Sequence, residues 1–340
     1  MAKAKRLPSG TYRCVVYVGT DENGKKKYKS ITDPDKRRCE KLAAEHADEH
    51  RKHIKGDTFG SAIEQFIQSR EPVLSPATIR GYRNIQNVLK NSHRGFCELS
   101  VHDLNVETYQ KLINGWTVIL SPKTIRNRTG FISAVMKYKG VLPPPVKLPD
   151  KVKPDLHIPD IDDVKRLIKA AKGTEMEIPI LLGAFAPMRR SEVVALSMDD
   201  INGNVIHVHS AVVMNSDGEN VSKNPKTYES DRFILMPEEI IKKIRDQGYI
   251  TKITNPQHIS QRFEHIARRA NCAGVRFHDL RHFCASYLHA QGVPEQYILE
   301  RGGWTSDGVM KDVYRHSLAS QKDKINKEIM KNFSDDFLDE

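Results

Sequence analysis

No run of apolar residues in this chain approaches the length of about 18 that a membrane-spanning helix needs, and no secretory leader is legible in it. The sequence therefore predicts a cytoplasmic protein without a membrane partner. Cysteine is scarce and unpatterned. Cys14, Cys39, Cys97, Cys272 and Cys284 are odd in number and none falls in a C-x-x-C spacing, which argues against a disulfide framework or a zinc site and for reduced, packed thiols. The His-Glu-x-x-His pattern of zinc proteases is also missing. His278 and His282 stand four residues apart on an expected helix, but Asp279 follows the first and Arg281 sits between them, and a metal cation beside a guanidinium is disfavoured. His207 and His209 alternate on an expected strand. We expect neither a metal nor another cofactor. What is abundant is positive charge: 54 Lys and Arg against 43 Asp and Glu leave +11, which points to a polyanionic partner. With 340 residues, 39% of them hydrophobic, two or three cored domains are expected.

Two breaks divide the chain. Between Val141 and Asp155, five prolines (Pro143, Pro144, Pro145, Pro149 and Pro154) interleave with lysines, the composition of an extended, semi-rigid linker. A second break lies near Lys55-Gly56-Asp57. Before it, Tyr12 to Val18 reads as a strand, Asn23-Gly24 as a hairpin turn and Lys25 to Ile31 as a basic strand. Asp33-Pro34 then supplies a cap and a first helical position for a helix running towards His50. From Thr58 to Tyr138 the apolar residues recur at helical spacing: Phe59, Ile63, Phe66 and Ile67, then Ile79, Tyr82, Ile85 and Leu89. Tyr109, Leu112 and Ile113, then Ile125, Ile132 and Met136, complete a four-helix unit. Within it Ser75-Pro76-Ala77-Thr78-Ile79-Arg80 and Ser121-Pro122-Lys123-Thr124-Ile125-Arg126 repeat one helix-start pattern, either an echo with a purpose or two good caps that arose independently. Past the linker, helices are expected over Asp162 to Ala171, Ile178 to Ala186, Gln257 to Ala270, His278 to Ala290 and Pro294 to Glu300, with a strand at Val205 to Val208.

The chemistry is carried by Arg189, Lys226, His278, Arg281, Trp304 and Tyr314. A tyrosine hydroxyl, with an ordinary pKa of about 10, becomes a useful nucleophile only where cations favour its phenolate. Two arginines supply such a field and also fork onto phosphate oxygens, neutralising charge that grows on a pentacoordinate phosphorus. Lys226 is then free to protonate a departing sugar oxygen, while His278 and the indole N–H of Trp304 hydrogen-bond the phosphate. Each residue has a plainer reading. Trp304 could be a core aromatic, His278 a helix cap, Tyr314 a buried helix-face residue and Lys226 a solvated lysine in a polar hairpin. The motifs Met188-Arg189-Arg190-Ser191-Glu192, Lys226-Thr227, His278-Asp279-Leu280-Arg281, Gly303-Trp304 and Val313-Tyr314-Arg315-His316 together resemble the tyrosine recombinases of the phage and transposon integrase type, closely over the C-terminal half. Pro187 stands where that family usually has Gly, which makes Arg190 a rival to Arg189. Glu192, three residues after Arg189, fits the family spacing and favours Arg189. Trp304 replaces the commoner His, and Gly302 an apolar residue. Glu192 and Asp279 are expected to hold an arginine fork or an imidazole in orientation.

The resemblance implies a multi-domain α+β protein. It consists of a small N-terminal β-hairpin or sheet plus helix, an arm-type DNA-binding domain (1–55); a four-helix core-binding domain (56–142); a Pro-rich linker (143–156); and a mainly helical catalytic domain with a small antiparallel sheet and a C-terminal tail (157–340). Arg13, Lys25, Lys26, Lys27 and Lys29 would face DNA from the arm, unless the lysines merely guard a sheet edge. Arg80, Arg83, Lys123, Arg126 or Arg128, near two helix starts, would hold phosphates of the core site. It further implies a 3′-phosphotyrosyl intermediate, needing neither ATP nor metal, and a homotetramer on double-stranded attachment sites of a phage or mobile element in the bacterial cytoplasm. An accessory excisionase or DNA-bending protein is a further partner class. The tail stripe Ile325, Ile329, Met330 and Phe333 would dock in cis or on a neighbouring protomer. A type IB topoisomerase and a non-catalytic DNA-binding protein are the alternatives. The N-terminal hairpin domain argues against the first and the intact set of six against the second.

Overall fold

The computed structural model describes residues 3–20, 26–56, 58–152, 158–223 and 230–304. They divide between two compact units, Met1–Lys153 and Pro154–Glu340. The whole is mostly helical, with small antiparallel sheets. No helix among the described residues is long and apolar enough to cross a membrane.

In the first unit, β1 (Lys5–Arg6), β2 (Tyr12–Thr20) and β3 (Lys26–Asp33) form an antiparallel sheet in that order. The strand β1, two residues long, has no sequence signal. Alternation on β2 turns Cys14 and Val16 inward, where they meet Cys39 and Ala43 of α1 (Lys36–Gly56). The Cys39 thiol donates to the carbonyls of Tyr12 and Ile31, both at 3.4 Å, so it is a packed structural thiol. The helix starts two residues later than the Asp33-Pro34 pair suggested. Asp33 stays paired with Tyr12 in the sheet, and it is Asp35 whose carboxylate accepts the Arg38 N–H at 2.8 Å.

The helical part of this unit comprises α2 (Phe59–Arg70), α3 (Pro76–Ser92), α4 (Arg94–Glu98), α5 (Val106–Thr117) and α6 (Pro122–Tyr138). The one-turn α4 is an addition to the four expected helices, and its Phe96 stacks on Phe59 at 4.3 Å. Ile63, Ile67, Tyr109, Ile113, Trp116, Ile132 and Met136 close the core. The repeated Ser-Pro-x-Thr pattern gives two matching caps. Ser75 and Ser121 each accept the backbone N–H of the Thr three residues on, and their hydroxyls meet the threonine hydroxyls at 2.8 and 2.9 Å.

The Pro-rich segment carries neither helix nor strand over residues 141–152, and part of it is strapped to the helices. Val141, Val146 and Leu148 pack on the helical core. Gln110 clasps Lys147 through both the N–H (2.8 Å) and the C=O (3.1 Å), and Arg126 donates to the Pro149 carbonyl at 2.7 Å. Prolines cannot satisfy one another's carbonyls, so side chains from α5 and α6 do it.

The second unit runs α7 (Ile161–Ala171), α8 (Glu177–Phe185), α9 (Arg190–Ala195), β4 (Ile201–Asn202), β5 (Val205–Val208), β6 (Ala211–Met214), β7 (Asn220–Lys223), β8 (Arg232–Leu235), α10 (Glu238–Gln247), α11 (Pro256–Arg269), α12 (Phe277–Ala290) and α13 (Glu295–Gly302). The expected single small sheet is two pieces, β4-β5-β8 and the ribbon β6-β7, all antiparallel. The apolar helix α8 is its centre. Ile178, Ile180, Leu182 and Ala184 are buried, and at Gly183 the absence of a side chain lets α12 come close: a Cβ there would lie 3.1 Å from both Leu280 and Phe277. That contact sets the end of α8, which leads into Arg189, beside α12, which carries His278 and Arg281.

Candidate active site

Arg189 precedes the first turn of α9 in extended conformation. Its backbone N–H goes to Glu192 Oε2 at 2.9 Å, its guanidinium Nη1 to Glu192 Oε1 at 2.5 Å and Nη2 to the Gly303 carbonyl at 3.2 Å. Glu192 is buried, and its second partner is the buried Arg232, whose Nη2 lies 2.9 Å from Oε2. Burial alone would raise the Glu192 carboxyl, but Arg232 first and then Arg189 outweigh it and hold the group ionised below the usual range. Arg190 turns elsewhere and donates to Ser260 on α11 at 2.6 Å, so the arginine that shares a carboxylate with the site is Arg189.

Arg281 is 1% exposed. Its Nη1 donates to the Pro187 carbonyl. The guanidinium lies 4.0 Å over the Trp304 ring, a desolvated cation–π contact. Its Nη2 has no hydrogen-bond partner among the described residues. Burial, followed by Arg189 beside it, works against this charge, yet a guanidinium keeps its proton. The site thus holds a cation ready to accept an anion's oxygen. Gly302 leaves the space in which the indole sits, since a Cβ there would fall 1.8 Å from Trp304 Cζ3, and Gly303 ends α13 at φ +62°.

His278 is not the helix cap. That place belongs to Arg276, whose N–H and fork both bind Asp279. Asp279 thus holds an arginine fork, that of Arg276: three residues on, it closes on the nearest guanidinium. His278 is pushed down to about 4 by burial first, then by His282, whose ring centre is 5.0 Å away, and by Arg281. Although its outer edge is open to solvent, it is neutral near pH 7, with one N–H to donate and one lone pair free to take a proton. Arg189, Arg281, His278 and Trp304 are brought together. Lys226 and Tyr314, like the tail stripe, lie outside the described residues. The residue that sequence reasoning passed over is Arg232. Its signal was a lone Arg opening an apolar strand, Phe233-Ile234-Leu235.

The basic residues expected to face DNA divide. Arg13 lies with Val15 and Tyr17 on the open face of the N-terminal sheet, where Tyr17 meets Tyr28 edge to face at 5.7 Å. Lys29 does not share that face. It pairs with inward-facing Val16 and lies 3.0 Å from His46 of α1, because cross-strand partners point the same way. Lys25, and the side chains of Lys26 and Lys27, lie outside the described residues. Arg83 is held by Glu64 at 2.6 Å, and Glu64 also binds the buried Gln86. Arg126 holds Pro149 and is a strap residue rather than a free phosphate ligand. Lys123 is exposed and Arg80 half-buried beside the two caps, and Arg128 lies over the Trp116 ring at 5.5 Å.

Residues 160–321 match the phage integrase family. A tyrosine recombinase XerC-like protein of Caldanaerobacter subterraneus subsp. tengcongensis is 22% identical over 373 aligned positions, covering 92% of this chain and 93% of that one. In fold the chain resembles the Tn1549 transposon integrase solved with a circular intermediate DNA, with TM-score 0.62, 14% identity, and coverage of 79% of this chain and 99% of that one. A lambda integrase dimer on a core site gives TM-score 0.59 and 13% identity, over 92% of this chain and 94% of that one. A lambda integrase tetramer on a Holliday junction gives 0.56 and 14%, over 90% and 96%. The structural likenesses carry the fold, and the family match falls on the unit in which Arg189, His278, Arg281 and Trp304 converge. By that match and that convergence, residues 160–321 belong to the phage integrase family, that of the tyrosine recombinases, enzymes that break and rejoin DNA.

Proposed function

We propose that this chain is a site-specific recombinase that integrates and excises a phage or other mobile element, with Tyr314 as its nucleophile. The Tyr314 hydroxyl attacks the scissile phosphorus, the bond from phosphorus to the 5′ oxygen breaks, and the Lys226 ammonium gives that oxygen a proton. A 3′-phosphotyrosyl link and a 5′-hydroxyl result. Attack by a 5′-hydroxyl of the partner strand reverses the chemistry and expels the tyrosine, so no external energy is required. Arg189 and Arg281 neutralise the phosphorane, His278 and Trp304 donate to it, and neutral His278 has the lone pair to receive the phenol proton.

The observation that carries this reading is a pair of guanidiniums, Arg281 over the Trp304 ring and Arg189 on the neighbouring Gly303 carbonyl, with one buried N–H of Arg281 unpartnered among the described residues. Such a cluster is unfavourable without an anion, and a phosphodiester is the anion a basic chain of this family meets. We assign the arm role to residues 1–55 and core-site binding to 56–142, with action in the cytoplasm as a tetramer that exchanges strands in pairs through a Holliday junction. Solved relatives in a dimer on a core site and a tetramer on a junction support that assembly. An excisionase or a DNA-bending protein would act as accessory.

The test starts by sequencing the DNA flanking the gene for the attachment repeat. On a nicked duplex carrying that repeat, the wild-type chain forms a covalent protein–DNA adduct. Tyr314→Phe binds the same DNA and forms none. An adduct persisting in Tyr314→Phe removes the tyrosine from its role.

A further inference from the structure

Arg232 opens β8 and is 4% exposed, and its guanidinium serves three different parts of the second unit. Nε donates to the Arg301 carbonyl at 3.0 Å, at the end of α13 just before Trp304. Nη1 donates to the Ser230 carbonyl at 3.1 Å, and Nη2 to Glu192 at 2.9 Å. The oxygen of Glu192 that Arg232 leaves is the one that receives Arg189 Nη1. A buried arginine kept only for packing is replaceable by an apolar residue of similar volume, often without loss of stability. Here the bond runs on through a carboxylate to a guanidinium that is one third exposed, the open end of the chain.

We propose that Arg232 is a positioning residue for DNA cleavage, acting through Glu192 on Arg189. It occupies one oxygen of Glu192, so the carboxylate cannot draw both Nη groups of Arg189 into a two-pronged pair. Arg189 Nη2 is thereby left at the mouth of the site, on the Gly303 carbonyl, where a phosphate oxygen can compete for it. With Arg189 and Arg281, Arg232 makes three guanidiniums around one carboxylate, an excess of positive charge that an incoming anion balances. Without Arg232, Glu192 would pair fully with Arg189 and withdraw it from the phosphate. The argument rests on the recombinase reading and on Arg189 as a phosphate ligand.

The experiment compares wild type, Arg232→Gln, Arg232→Lys and Arg189→Ala as full-length chains in single-turnover adduct formation. Two nicked duplexes are used, one with an ordinary scissile phosphate and one with a methylphosphonate there, which lacks one anionic oxygen. Melting temperature and duplex binding are recorded for each. On the phosphate, Arg232→Gln should be slower than wild type by about 10–100-fold, the usual loss for a partner one step removed from the reacting group, and Arg232→Lys by less. Duplex binding should be unchanged. On the methylphosphonate the gap to wild type should narrow for Arg232→Gln as it does for Arg189→Ala, because there is less charge for Arg189 to hold. Equal losses on both duplexes, no loss, or unfolding of both Arg232 variants would overturn the proposal and leave Arg232 a part of the scaffold. A wild-type chain that forms no adduct sinks the recombinase reading instead, and the proposal with it. An Arg189→Ala loss that does not narrow removes the phosphate role through which Arg232 acts.

Discussion

Substituting Gly302 by alanine tests whether Trp304 belongs to the site or merely ends a helix. The added Cβ would stand 1.8 Å from Cζ3, 2.0 Å from Cε3 and 2.6 Å from Cη2 of the indole, so three ring atoms collide and no small adjustment clears them. The ring must leave its place over Arg281. A desolvated cation–π contact is worth about 2 kcal/mol, and the strain of forcing a methyl into a filled space adds about 1–3 kcal/mol. Against this stands the helix preference of Ala over Gly, at most about 1 kcal/mol and less in a last turn. The net cost is about 2–5 kcal/mol, or a fall of roughly 4–20 °C in melting temperature for a unit of this size. Differential scanning calorimetry reads the temperature. Tryptophan emission reads the displacement, since the other tryptophan, Trp116, is buried in the first unit and supplies a constant background. Unchanged melting with unchanged emission would show that the indole does not occupy the space Gly302 leaves, and the placement of Trp304 at the site would be wrong.

Lowering the pH should weaken the fold through His278. Its folded pKa is depressed to about 4 from 6.5, so the unfolded chain binds the proton first, and the contribution is whole above pH 6.5 and lost as the pH falls towards 4. Allowing for the open outer edge, about 1–2 kcal/mol is at stake, read as the difference in urea midpoints between wild type and His278→Gln at pH 7.5 and 4.5. A variant with the same pH dependence as wild type would refute it. Gln110→Ala should loosen the strap over residues 141–149, since two backbone bonds at about 1 kcal/mol each disappear, and speed trypsin cleavage after Lys147 at least about tenfold. An unaltered rate would mean that Val146 and Leu148 alone hold it.

Most helices were legible because apolar spacing and caps are local signals. The Ser-Pro-x-Thr starts at Ser75 and Ser121, and the helices at 256–269 and 277–290, fall within a residue of their expected limits. The constellation was legible too, because Arg189, His278, Arg281 and Trp304 each stand in a short motif. What was hidden is pairing over distance. Nothing in sequence says that Arg83 faces Glu64, 19 residues earlier, or that Arg126 finds a proline carbonyl 23 residues later. Lys29 departs from its expected face for another reason: the register sets it opposite inward-facing Val16, and the strand's own sequence does not state which residue it will oppose.

One local device appears twice in the second unit, with different outcomes. At the starts of α9 and α12 an arginine precedes the helix, and an acid three residues on takes both its backbone N–H and its guanidinium. At α12 the pair closes on itself. Asp279 is buried, Arg276 is 64% exposed, and two bonds join their side chains, so the acid is used up. At α9 a second arginine, 40 residues away, takes one oxygen of the acid and keeps the pair open. Helix capping thus explains why Glu192 sits where it does, and the charge from β8 explains why Arg189 is left able to bind something else. The difference between a cap and a binding site lies in that one added guanidinium, which is why the decisive residue carries no motif of its own.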